Sequence, residues 1–115
     1  MHIYIKNKKL ILDKYRIKCA IGKRGIGNKK REGDKITPKG KFKIRSIFYR
    51  KDRILPFRSR ITKLPISKNM GWCDDPKSKK YNKLIKLPFK GSAEKLYKDD
   101  NSYDIILVLN YNFNP

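Results

Sequence analysis

The stretch REGDKITPKGKF, Arg31 to Phe42, decides how this 115-residue chain is read. Gly33-Asp34, Thr37-Pro38 and Lys39-Gly40 concentrate turn-forming residues in a short span. A proline pushes the residue before it into an extended conformation, here Thr37. Pro38 presets φ for the first central position of a tight turn, and Gly40 suits a positive φ at its end. Phe42 and Ile44 then alternate with Lys41, Lys43 and Arg45, a half-buried strand that can extend to Tyr49.

Working outward, the N-terminal side reads as strand, turn, strand, strand. Ile3 and Ile5 alternate with His2 and Tyr4. Asn7-Lys8-Lys9 is a turn candidate, Leu10 to Leu12 resumes an apolar run, and Tyr15, Ile17 and Cys19 alternate with Arg16 and Lys18. Gly22, Gly25 and Gly27 spell G-x-x-G-x-G inside a loop running to Gly40. No Gly-Lys-Ser/Thr follows and no helix opens, so it is neither a phosphate loop nor a dinucleotide fingerprint.

On the C-terminal side, Pro56 and Pro65 interrupt Arg50 to Asn69. Asp75-Pro76 resembles a helix start with an aspartate cap, and Ser92-Ala93-Glu94 a second short helix running to Tyr97, with Leu96 buried. YDIILVLN, Tyr103 to Asn110, has continuous apolar residues, which predicts a central strand covered on both faces. The chain offers little to cover it, so a C-terminal segment or a partner chain is expected to supply the missing layer. The rival is that the first three strands fold over as the second layer of a small sandwich.

The formal charge is +21, carried by 23 Lys and 8 Arg against 10 acids, beside 15 Ile and 8 Asn. Lys, Ile and Asn are residues of A/T-rich codons, so the skew does not by itself identify an acidic partner. Weak polyanion binding is expected of any chain this positive. Cys19 and Cys73 are too few for a disulfide framework, and with His2 as the lone histidine they predict no metal site and no cofactor. Cys19 reads as a small core residue. Cys73, beside Trp72, is the better thiol candidate, against a simple space-filling role. No stretch reaches the roughly 18 apolar residues of a membrane span, and the N-terminus shows no apolar signal region.

AIGKRGIGNKKREGDKITPKGKF, followed by GWCDDP (Gly71 to Pro76), Tyr81-Asn82, Leu87-Pro88, Tyr103-Asp104 and VLNYN, resembles the L,D-transpeptidase (YkuD-type) catalytic domain family, in order from about Cys19 to Pro115. The resemblance implies a mainly β, sandwich-like L,D-transpeptidase fold with long loops and one or two short helices, a single domain over 1–115 that is incomplete at its C-terminus. It implies a cysteine acyltransferase acting on a peptidoglycan stem peptide in the periplasm or cell wall. The family's nucleophilic Cys and its His are expected beyond Pro115, so no catalytic residue carries over and the chain is expected to be inactive alone. Trp72, Asp74, Tyr111 and Asn112 are the expected substrate-binding wall. The rival function is a basic β-rich module that binds nucleic acid or an anionic wall polymer.

Overall fold

Alternating apolar and basic residues build the first part of the chain into an antiparallel meander. The computed structural model describes residues 2–111, in two compact units, 1–40 and 41–115. In the first unit, β1 (Ile3–Lys6), β2 (Lys9–Leu12) and β3 (Tyr15–Lys18) form one sheet in that order. Asn7 and Lys8, at φ 52° and 59°, make the two-residue turn between β1 and β2. Two left-handed residues match the twist of the flanking strands, which is why such hairpins select them. The register places Ile3, Leu12 and Tyr15 in one row and Ile5, Leu10 and Ile17 in another. Because side chains alternate across a strand, these six share one face. Cys19 follows β3, half-buried, and its amide donates to the Lys8 carbonyl at 2.9 Å.

The glycine loop closes on itself. β4 (Ile26–Gly27) and β5 (Thr37–Pro38) pair in parallel, so Thr37 and Pro38 are strand residues and the expected tight turn at 37–40 is corrected. Thr37 donates to the Gly25 carbonyl at 2.9 Å and Lys39 to Gly27 at 2.8 Å. Pro38 lies between those two donors, where a parallel ladder asks nothing of its missing N–H. Thr37 stays extended, and Gly40 has the positive φ expected of it, 136°.

Asp34 pins the rest of the loop. Its carboxylate accepts from Lys29 Nζ (2.8 Å) and from the amides of Lys30 (2.8 Å), Arg31 (3.2 Å) and Ile36 (3.1 Å). These bonds, the lysine's first, hold its pKa well below the usual carboxylate range against the opposing effect of burial. Gly33 and Lys35, at φ 78° and 62°, turn the chain around it.

The second unit is two three-stranded sheets. β6 (Ile44–Tyr49), β7 (Thr62–Pro65), β8 (Met70–Cys73), β9 (Leu84–Lys86), β10 (Ala93–Lys95) and β11 (Ile105–Leu109) follow along the chain. β6 is central in one sheet, antiparallel to β11 and parallel to β7; β8 is central in the other, antiparallel to β9 and β10. Phe48 and Val108 of the first sheet meet Met70 of the second, joined by Ile66 and Leu96, in one buried cluster. Each such side chain contributes about 1.5–3 kcal/mol by leaving water.

The fold is mainly β, as the sequence predicts, but two expectations need correction. β11 is an edge strand. Val108 faces the core, while Ile105, Leu107 and Leu109 stand 50%, 40% and 42% exposed. Its cover on the core side comes from the β8 sheet. The second correction is that no helix occurs among the described residues. Asp75 makes an isolated turn, its Oδ1 accepting from the Lys77 amide at 3.0 Å. Ser92 to Tyr97 contains β10, with Glu94 opposite Trp72. A single helical turn is costly to nucleate, whereas the strand gains pairing to β8 and still buries Leu96.

Arginines hold the long loops. Arg50, 4% exposed, makes two bonds to Asp52 (2.9 and 2.7 Å), donates to the Lys98 carbonyl (2.6 Å) and stacks on Tyr97 at 3.7 Å. Arg53 reaches the carbonyls of Asp99 and Asp100 and the carboxylate of Asp104.

Candidate functional site

β6, β8 and β11 bring Phe48, Trp72 and Val108 together, and these three form a wall shared by two clefts of the second unit. The larger cleft, about 540 Å³, has Arg45, Lys83 and Asn110 among its polar lining. The smaller, about 280 Å³, is the more apolar, and Asn82, Tyr103 and Tyr111 lie along it.

Trp72 sits on the central strand β8 with its ring 6.2 Å from Phe48. Its indole Nε1–H donates to Asn82 Oδ1 at 3.1 Å, and Asn82 Nδ2 donates to the Tyr111 carbonyl at 3.2 Å. Asn82 itself is at φ 58°, and its amide donates to the Cys73 carbonyl at 2.8 Å. Asparagine tolerates this left-handed backbone better than most residues. Tyr111 packs edge-on against Phe42, centroids 5.1 Å apart. Across the smaller cleft, the Tyr103 hydroxyl donates to Glu94. Burial, and then the neighbouring carboxylate, push the Tyr103 phenol well above its usual range, so it remains a neutral donor.

The expected wall residues are thus partly united. Trp72 and Tyr111 share the smaller cleft, linked by Asn82. Asp74 lines neither cleft. Its Oδ1 is buried and has no hydrogen-bond partner among the described residues. Asn112 lies outside the described residues. Asn82 and the Glu94–Tyr103 pair are additions that the sequence reading did not single out as site residues. The one signal for Asn82 is its place in the Tyr81-Asn82 pair, since its backbone angle is invisible to composition.

Cys73 has no solvent exposure, and its strand is paired on both sides. That agrees with the space-filling reading. Cys19 is not a core residue: it is only half-buried, beside strand neighbours Tyr15 and Ile17 that are each 57% exposed. Among the described residues, no three His, Cys, Asp or Glu side chains gather into a metal-binding group. No helix is long and apolar enough to cross a membrane.

The site is therefore an aromatic wall with a fixed amide bridge and polar residues lining it. Neither the curated proteins nor the solved structures provide a match. The family model of the L,D-transpeptidase catalytic domain matches residues 1–107, spanning both units. With nearly all of its length matched, the chain belongs to the L,D-transpeptidase catalytic domain family.

Proposed function

We propose that the second unit holds the peptidoglycan stem peptide for L,D-transpeptidation, and that neither Cys19 nor Cys73 carries the acyl group. In the family's reaction a cysteine thiolate attacks a peptide carbonyl and expels the leaving amine. An acceptor amine then attacks the thioester and regenerates the thiol. A thiol that does this must be reachable and sit beside a base. Cys73 is sealed within a paired strand. Cys73 is therefore not expected to form the thioester.

The observation that carries the binding reading is the Trp72–Asn82–Tyr111 bridge. It fixes two aromatic residues along one apolar cleft. Trp72 is the single tryptophan, so its fluorescence reports on that wall directly. Titration with a stem tetrapeptide is expected to change Trp72 emission, and Trp72→Phe or Asn82→Ala to weaken binding measured by calorimetry. Mass spectrometry after exposure to a β-lactam or a reactive stem-peptide probe should find no adduct. An acyl adduct on Cys73 would overturn the assignment of that thiol, and unchanged tetrapeptide affinity in both variants would overturn that of the wall.

A further inference from the structure

We propose that the first unit binds single-stranded nucleic acid on the basic face of the β1–β3 meander, with phosphates along Lys6, Lys9 and Lys18 and a base stacked on Tyr4. This site is separate from the transpeptidase reading and stands or falls without it. Register places Lys6 opposite Lys9 and Lys9 opposite Lys18, one row across all three strands. Like charges directly opposite one another destabilise a sheet unless something neutralises them. Among the described residues, no carboxylate pairs with any of the three. The meander's one acid, Asp13, lies in the turn at the opposite end, four positions or about 13 Å along the strands from Lys9.

Composition alone does not account for the pattern. A codon bias scatters lysines without regard to face, yet all four cations within β1, β2 and β3 (Lys6, Lys9, Arg16 and Lys18) fall on one side, and the other side (Ile3, Ile5, Leu10, Leu12, Tyr15 and Ile17) carries no charge. Beside the lysine row, Tyr4 is 60% exposed, with the His2 ring 6.2 Å away and Arg16 on the same face. A sheet face that offers cations for the backbone and an open aromatic ring for a base is the combination that recognises unpaired strands, because a duplex hides its base faces. A polyol-phosphate wall polymer would use the lysines but leave Tyr4 idle, so the exposed ring favours nucleic acid.

The test is fluorescence anisotropy of the full chain with a labelled oligouridylate of about 12 nucleotides, across salt. Lys6→Gln/Lys9→Gln/Lys18→Gln should cost about tenfold in affinity or more and flatten the salt slope by about 2. The matched change at exposed lysines elsewhere, Lys77→Gln/Lys79→Gln/Lys80→Gln, should stay within about twofold. Tyr4→Ala should cost about fivefold or more with the slope unchanged. Equal losses from the two lysine triples would reduce the effect to bulk charge and overturn the site. Inorganic polyphosphate competing as well as the oligonucleotide, with Tyr4→Ala silent, would overturn nucleic acid in favour of a phosphate polymer. If circular dichroism shows the triple variant unfolded, Tyr4→Ala decides alone, and no loss of affinity overturns the proposal. Stem-peptide binding should be untouched in every meander variant.

Discussion

Asn82 is the position where fold and site depend on one side chain. Replacing it by alanine removes two side-chain hydrogen bonds, to Trp72 at 3.1 Å and to the Tyr111 carbonyl at 3.2 Å. Each is worth about 1 kcal/mol net. The backbone adds a third cost, because φ 58° is a left-handed conformation that alanine adopts less readily, by about 1 kcal/mol. Asn82→Ala should therefore destabilise the second unit by about 3 kcal/mol, a large share of the roughly 5–15 kcal/mol that domains possess. Glycine separates the two effects. It accepts the positive φ freely but makes neither bond, so Asn82→Gly should cost about 2 kcal/mol. The assay is urea unfolding followed by Trp72 emission, which reports on this unit alone. If glycine proves as costly as alanine, the backbone argument fails. If both variants unfold with the wild type, the bridge contributes nothing to stability and the reasoning about the wall collapses.

Truncating the buried core should be comparably costly. Met70→Ala or Leu96→Ala is expected to lower stability by about 2–5 kcal/mol, read from the same urea curves. Gly22→Ala places a Cβ onto the Lys35 carbonyl oxygen and 2.8 Å from the Thr37 nitrogen; hydrogen exchange at the Arg24 and Thr37 amides should accelerate strongly. The Asp34 carboxyl has a depressed folded-state pKa, so its contribution is present above the ordinary carboxylate range and lost only as pH falls through the lower folded value. Acidification from neutrality to about pH 4 should therefore leave the amide signals of Lys30 and Ile36 in place, whereas Asp34→Asn should shift them already at neutral pH.

Alternation made the first unit readable. Alternation runs through β1 and β3, Leu10 to Leu12 is a short apolar run between them, and Asn7 marks the turn. The β8 sheet was hidden for the converse reason. Met70-Gly71-Trp72-Cys73 lies at the centre of its sheet, so it shows no polar alternation, and its glycine reads as a turn signal. Packing demands that glycine: a Cβ at Gly71 would lie 2.9 Å from Ile85 Cδ1 and 3.2 Å from the Glu94 carbonyl oxygen. β11 erred in the other direction, since unbroken apolar residues imply two-sided cover and the strand has its core on one side. At the site, Trp72 and Tyr111 were legible as aromatic residues within family motifs. Asn82 was not, because its role lies in a backbone angle and in bonds to residues distant in sequence.

The charge of +21 is a poor guide to this molecule, and the few acids are a better one. Lysine is soluble on any exposed surface, so its number records composition more than architecture. A carboxylate is scarce here, and six of the ten are tied to named partners. Asp34 closes the glycine loop, Asp52 holds Arg50, Asp104 holds Arg53, Glu94 takes the Tyr103 hydroxyl, and Asp75 and Asp100 cap turns. Most of these acids staple a long loop, and loops are where a β fold of small sheets has least backbone pairing to rely on. The same logic returns meaning to REGDKITPKGKF. Its glycine and proline allow the path, but the aspartate between them, bonded four times over, selects it. The lysines acquire meaning only where geometry aligns them, as in the row across β1, β2 and β3, and there the missing acids are the signal.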